Sequence, residues 1–273
     1  MEDSHISIFD FYGSYHLFAV MDGHGGPEVA QYVQNYLPNY IKDNPNIKTK
    51  QWKELFISSF STVDQSLLTE EGQAKLVEYS KKNQPDEFRF VSEAEIYKHV
   101  GCTLCMGMIA DSEIIVANSG DSRCILGVKG KAVDMSLDHK PELDIERKRI
   151  EAAKGFVEDN RVNGNLNLSR SIGDFEYKSD KSLKPEQQQV IYLPDVKVAK
   201  LSPDVDFMLI ACDGIWEVWE SQKVVDFIYS KLNNEVKLST IIDEMFEKII
   251  SVDCNSNPLG CDNMTCVLIQ FKK

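Results

Sequence analysis

Four apolar, strand-like runs in this chain either end at an aspartate or start just after one. They are Phe18-Ala-Val-Met-Asp22, Ile114-Ile-Val-Ala-Asn-Ser-Gly-Asp121, Phe207-Met-Leu-Ile-Ala-Cys-Asp213 and Asp262-Asn-Met-Thr-Cys-Val-Leu-Ile-Gln-Phe271. A fold that accommodates this pattern buries the runs as strands and leaves the carboxylates at the strand rims. Carboxylates held at rigid rims are hard oxygen donors of defined geometry, as a Mg2+ or Mn2+ site requires. A divalent-metal centre is the leading expectation.

Asp-Gly is also the commonest short hairpin signal, so each aspartate has to be weighed against a plain turn. Asp121, between strand-like runs 113–118 and 123–128, fits a turn. Asp22 does not, because a helix follows it: Pro27 suits a first helical position, and Val29, Val33, Tyr36, Leu37 and Tyr40 recur on one face. Asp213 likewise leads through Ile215-Trp-Glu-Val-Trp219 into a second amphipathic helix. A strand, then Asp22-Gly-His-Gly-Gly26, then a helix is the architecture of a site.

With 273 residues the chain is long enough for one large core. Neither a Pro/Gly/Ser-rich linker nor an internal repeat divides it, so residues 1–273 are expected to form a single domain. A formal net charge of -13 and a pI near 4.9 oppose contact with phosphate backbones or anionic lipid through like-charge repulsion, and no nucleic-acid partner is expected. No apolar run approaches the roughly 20 residues of a membrane helix, and the N-terminus has neither a signal-peptide core nor a Met-Gly myristoylation start. The expectation is a soluble monomer without membrane association, intracellular, in cytoplasm or nucleus.

Seven cysteines are an odd number, and five of them (Cys102, Cys105, Cys124, Cys212 and Cys266) lie in apolar runs where a free thiol behaves as a small hydrophobe. Disulfides are not expected. Cys102-Thr-Leu-Cys105 has zinc spacing but no second pair, and residues three apart on a strand face opposite ways.

Strands are expected at 17–21, 101–109, 113–118, 123–128, 131–135, 195–201, 206–212 and 264–271. Helices are expected at 27–41, 51–68, 142–153, 221–232 and 238–252. Runs of strands with helices before, between and after them indicate antiparallel sheets covered by helices. Residues 69–98 read as a solvated insertion and 175–191 as a mobile surface loop. A dinucleotide fingerprint at Gly23-His24-Gly25-Gly26 fails, because its third glycine would fall at Glu28, an anion where a pyrophosphate would approach. A serine hydrolase does not fit either, since Ser169-Arg170-Ser171 lacks flanking glycines.

A longer succession then stands out. Met1-Glu-Asp-Ser-His5, Asp22-Gly-His-Gly-Gly26, Gly101-Cys-Thr103, Ala117-Asn-Ser-Gly-Asp-Ser-Arg123, Asp138-His-Lys-Pro141, Arg161-Val-Asn-Gly164, Leu168-Ser-Arg-Ser-Ile-Gly-Asp174, Ala211-Cys-Asp-Gly-Ile-Trp216 and Asp262-Asn-Met-Thr265 follow one another. In this order they resemble the metal-dependent PP2C-type (PPM) protein phosphatases over nearly the whole chain. The resemblance implies an α+β fold in which two antiparallel β-sheets pack as a sandwich flanked by α-helices. It also implies hydrolysis of phosphoserine and phosphothreonine in phosphoprotein substrates, by a hydroxide bridging two Mn2+ or Mg2+ ions.

By position, Asp22 resembles the carboxylate that bridges the two ions, with the Gly23 carbonyl as a further ligand. Asp213 and Asp262 resemble ligands of the first ion, and Glu2 the residue that holds the second, partly through water, with Asp3 as its supporting neighbour. Asp121 resembles a residue that, with Asp213, binds a weaker third ion in some members. His24 resembles the general acid. These residue types suit the chemistry: two cations lower the pKa of bound water and neutralise developing charge. A protonated imidazole supplies the proton that a serine or threonine alkoxide needs to leave, an effect of about a hundred- to ten-thousandfold.

One departure matters. Family members carry a phosphate-binding arginine on a strand a few residues before the Met-Glu-Asp segment, and this chain starts at Met1. The expectation is a domain lacking that strand, with Glu2 and Asp3 on a terminus prone to fray. Arg161 becomes the first candidate to bind phosphate. The departure sustains an alternative, a catalytically weak phosphatase-like scaffold or regulatory binding protein, against which stand the three aligned carboxylates Asp22, Asp213 and Asp262. A metal-dependent nuclease would want a basic approach surface that the net charge denies. Of the remaining histidines, His5, His16 and His99 read as surface or packing residues. His139 reads as structural or as part of the substrate rim, because no partner carboxylate can be assigned to it from sequence. Trp216 and Trp219 read as helix-face core.

Overall fold

The computed structural model describes residues 1–83, 92–232, 235–254 and 258–272. In chain order its strands are β1 (Ser4–Tyr12), β2 (Tyr15–Met21), β3 (Gly23–His24), β4 (Gly101–Cys102), β5 (Leu104–Ala110), β6 (Glu113–Ser119), β7 (Arg123–Val128), β8 (Lys131–Asp134), β9 (Val157–Glu158), β10 (Arg161–Val162), β11 (Ile172–Gly173), β12 (Asp195–Lys200), β13 (Val205–Ala211) and β14 (Cys266–Gln270). The helices are α1 (Glu28–Asp43), α2 (Asn46–Thr49), α3 (Trp52–Ser66), α4 (Glu70–Asn83), α5 (Ile96–His99), α6 (Asp144–Ala152), α7 (Asp213–Trp216), α8 (Ser221–Lys231) and α9 (Leu238–Ile249).

The apolar runs are continuous because both faces of their strands are buried. On β2, Leu17, Ala19 and Met21 enter one core while Phe18 and Val20 enter another. On β13, Met208 and Ile210 join Phe18 and Val20, while Phe207, Leu209 and Ala211 enter a third core. The middle core is thus shared by two sheets, a five-stranded one ordered β1-β2-β5-β6-β12 and a four-stranded one ordered β14-β13-β7-β8. Val33, Leu37, Phe56 and Phe60 of α1 and α3 cover the first sheet. Val224, Ile228, Ile241 and Met245 of α8 and α9 cover the second. The result is the expected antiparallel sandwich between helical layers. Cys102 and Cys105 fall into different cores, which is why their zinc-like spacing makes no site.

Antiparallel pairing decides where the aspartates go. Ala211 at the end of β13 pairs with Cys266 at the start of β14 and with Arg123 at the start of β7. The residues just beyond these positions, Asp213, Asp262 and Asp121, therefore share one end of the sandwich. β2 ends at the same rim, and Asp22 is fastened there by paired bonds: its N–H donates to Thr103 Oγ1 at 3.1 Å, and the Thr103 N–H donates to its carbonyl at 2.9 Å.

Four expectations need correction. Residues 4–12, assigned no element from the sequence, form the edge strand β1, paired with β2 from Ser4↔Met21 to Tyr12↔Tyr15 with a register shift between Ile8 and Tyr12. The stretch 69–98 is not a featureless insertion: Glu70–Asn83 is a helix with Leu76 buried against the α1 side of the core, while residues 84–91 lie outside the described ones. The stretch 175–191 contains two 3-10 turns, Phe175–Lys178 and Pro185–Gln187, and buries Val190 and Ile191. Finally, Cys254 and Cys261 form a disulfide. Both lie in the polar stretch between α9 and β14, outside the apolar runs on which the expectation of free thiols rested; the five cysteines of those runs are free.

Long-range charge pairs explain the order in 175–191. Glu146, fully buried on α6, accepts two bonds from Arg170, Nε at 3.0 Å and Nη2 at 2.6 Å, and is also paired with Arg149. Arg149 in turn donates from Nε to the Gln188 carbonyl at 3.1 Å and from Nη2 to the Gln189 carbonyl at 3.2 Å. Glu146→Gln strands two buried guanidinium groups and is expected to destabilise the protein by about 3–5 kcal/mol, seen as a lower urea midpoint. Burial pushes the Glu146 carboxyl up, but the two arginines override it and hold it below its ordinary 4.5. The contribution is therefore complete above about pH 4.5 and lost as the pH falls through the depressed value, so acid should narrow the gap between wild type and variant.

Candidate metal centre

One cavity of about 270 Å3 opens at the rim where β2, β13 and β14 meet. Glu2, Asp22, Asp121, Asp213 and Asp262 all line it, with Gly23, His24 and Thr103. Five carboxylates from five separate stretches of chain thus face one space.

The terminus is tied down at this point. The Glu2 N–H donates to Asn263 Oδ1 at 2.9 Å, and Glu2 Oε2 accepts the Gly26 N–H at 3.2 Å. A side chain at position 23 would collide with the Glu2 carbonyl, so the glycine lets the terminus cross close over the Asp22–Gly26 loop. Asp3 lies behind, its two oxygens buried near Thr265, Asp22 and Cys212. These contacts hold the terminus that was expected to be prone to fray.

Electrostatics favour cations here. Burial, then the neighbouring Asp213 and Asp3 carboxylates, push the Asp22 carboxyl far up; burial also raises Asp213 and Asp3. Asp121 is pushed up to about 6 by burial, although Lys140 pairs with it and works in the opposite direction. Asp22 and Asp213 face the same cavity, and two ionised carboxylates so placed favour a proton or a cation between them. Among the described residues no group of three or more His, Cys, Asp and Glu side chains converges at ligand spacing; the carboxylates ring the space, as like charges do. An all-oxygen donor set of this kind fits Mg2+ or Mn2+.

His24 sits on the cavity wall in β3, paired with β4 at His24↔Gly101. Its Nε2 lies 2.7 Å from Asp174 Oδ2 and 2.9 Å from Oδ1. Burial would lower the imidazole, but the Asp174 carboxylate outweighs it and raises His24 above its ordinary value. Gly101 makes room for the pair, since a Cβ there would fall 2.5 Å from His24 Nε2. Asp174 had no role in the sequence reading; its only signal was the Gly173-Asp174 step at the end of a family-like segment. Thr103 was similarly missed as the anchor of Asp22.

Arg161 and His139 lie elsewhere. Arg161 does not line the cavity: it is exposed on the β9–β10 hairpin and its Nη1 donates to the Asn165 carbonyl at 2.6 Å. His139 is buried and structural. Its Nδ1 accepts the Gly120 N–H at 3.2 Å, which leaves Nε2 to donate to Asp195 Oδ2 at 3.2 Å, so the ring braces the loop that carries Asp121. Trp216 and Trp219 belong to the core under α8 and α9.

Comparison with known proteins shows the family. A family model for protein phosphatase 2C matches residues 1–258. The chain is 43% identical over 273 residues to the probable protein phosphatase 2C 6 of Paramecium tetraurelia, covering 100% of this chain and 88% of that protein. It is 39% identical over 278 residues to protein phosphatase 2C homolog 2 of Schizosaccharomyces pombe, covering 99% of this chain and 69% of the relative. A crystal structure of a phosphatase from Toxoplasma gondii shares the fold, with a TM-score of 0.74 at 23% identity over 99% of this chain and 88% of that one. The chain belongs to the protein phosphatase 2C family and is a Mg2+- or Mn2+-dependent protein serine/threonine phosphatase.

Proposed function

We propose that the cavity binds two Mn2+ or Mg2+ ions, and a weaker third near Asp121 and Asp213, to hydrolyse phosphoserine and phosphothreonine in phosphoprotein substrates. The observation that carries this reading is the gathering of Glu2, Asp22, Asp121, Asp213 and Asp262 around one cavity with a histidine–carboxylate pair on its wall. Asp22 would serve both ions, with the Gly23 carbonyl as a further ligand, Asp213 and Asp262 the first, and Glu2 the second, with Asp3 behind it. When bound, such ions supply an activated water as nucleophile and neutralise charge on the phosphoryl oxygens.

The chain's own residues do the rest. Thr103 fixes the Asp22 backbone at the rim, from which the carboxylate projects into the cavity. With Nε2 of His24 engaged by Asp174, Nδ1 is the nitrogen left to protonate the departing serine or threonine oxygen. The protein would work as a single-domain monomer in the cytoplasm or nucleus; among the described residues no helix is long and apolar enough to cross a membrane. Assay of a phosphoserine peptide with and without metal tests the reading. Activity is expected to appear with Mn2+ or Mg2+, vanish in excess EDTA and return when metal is restored; full activity in excess EDTA would overturn it.

A further inference from the structure

We infer that the buried ion pair between Asp64 and Lys178 is a positioning device for the His24–Asp174 couple; this rests on the reading of His24 as the acid. Asp64, on α3, is fully buried, and the Lys178 side chain is 6% exposed. Lys178 Nζ donates to Asp64 Oδ1 at 2.7 Å and to the Ser171 carbonyl at 2.9 Å, and the same Asp64 oxygen accepts the Gly173 N–H at 2.9 Å. The pair therefore clamps the backbone at residues 171 and 173, immediately before Asp174, and ties it to a helix more than a hundred residues away in sequence.

The clamped turn needs holding. Gly173 at φ 86° and Asp174 at φ 54° are consecutive left-handed residues, a conformation that a non-glycine residue keeps only when its surroundings over-determine it. The Ser171 hydroxyl donates to Asp174 Oδ2, the oxygen nearest His24, so a shift of residue 171 would carry the carboxylate with it. The Lys178 ammonium also lies 5.3 Å from the Phe175 ring centroid and 6.0 Å from that of Tyr192, which fixes its stem. A buried charge pair is no more stabilising than an apolar pair of the same volume, so its worth here lies in the two directed backbone bonds.

The test uses the double variant Asp64→Leu/Lys178→Met, which removes both charges and leaves no stranded ion, with Lys178→Arg as the conservative control. With saturating Mn2+, kcat on a phosphoserine peptide is expected to fall about ten- to hundredfold, because a displaced acid transfers its proton poorly. An aryl phosphate, whose leaving group needs no proton, should change by less than about threefold, and KM should hold for both. Lys178→Arg should lose less activity, and the His24 imidazole 15N resonances, recorded with Mg2+ in place of Mn2+, should move in the double variant and less in Lys178→Arg. An unchanged kcat on the peptide in the folded double variant, or an unmoved His24 resonance, overturns the inference. His24→Ala run in parallel separates the two readings: if it slows both substrates equally, the acid role fails, while the resonance still decides the positioning.

Discussion

Asp213→Asn is expected to lower turnover of a phosphoserine peptide by at least about a hundredfold while the protein stays folded. The variant removes one anionic oxygen donor from a site that needs several, and even residues that only support a metal ligand typically cost about ten- to hundredfold. Asp213 is the first residue of α7, beyond the last core position of β13, so the cores above and below the sheets are untouched. A second readout is metal binding itself: with one anionic donor gone, the rise in melting temperature that Mn2+ produces should shrink. A variant that kept wild-type turnover and metal-induced stabilisation would remove Asp213 from the site.

His24→Ala is expected to slow a phosphoserine or phosphothreonine peptide by about a hundred- to ten-thousandfold and an aryl phosphate far less. The prediction stands on geometry: the ring lies on the wall of the carboxylate cavity, and Asp174 holds one of its nitrogens. An alkoxide must be protonated as it leaves, whereas a nitrophenolate departs unaided. Equal slowing of both substrates would make His24 an organiser of the metal loop instead.

Much of the site was legible because its chemistry is written locally. A strand that ends in Asp-Gly-His-Gly-Gly and enters a helix can be read from seven or eight neighbouring residues, and the same holds for Asp213 at the end of β13. Periodicity made α1, α3, α8 and α9 readable within a few residues at their ends. What was missed lacked any local signal. The order in 175–191 comes from Arg149 and Glu146 far upstream, β1 has a bulged register against β2, and the disulfide joins two cysteines in a polar stretch. Arg161 shows the converse: a motif position attracted a phosphate-binding role that its place on an exposed hairpin does not support.

The sequence by itself determined which residues are chemically able to act: rim aspartates after apolar strands, a histidine in a glycine turn, and strands apolar enough to be buried on both faces. Only the tertiary structure decided which of them meet. Antiparallel registers bring the end of β13 against the starts of β7 and β14, and so gather carboxylates spread from residue 2 to residue 262 at one rim. The partner of His24 was decided there too, 150 residues away at Asp174. Pairing between strands and buried charge contacts act through space, and their partners are chosen by packing, to which spacing along the chain gives no direct access.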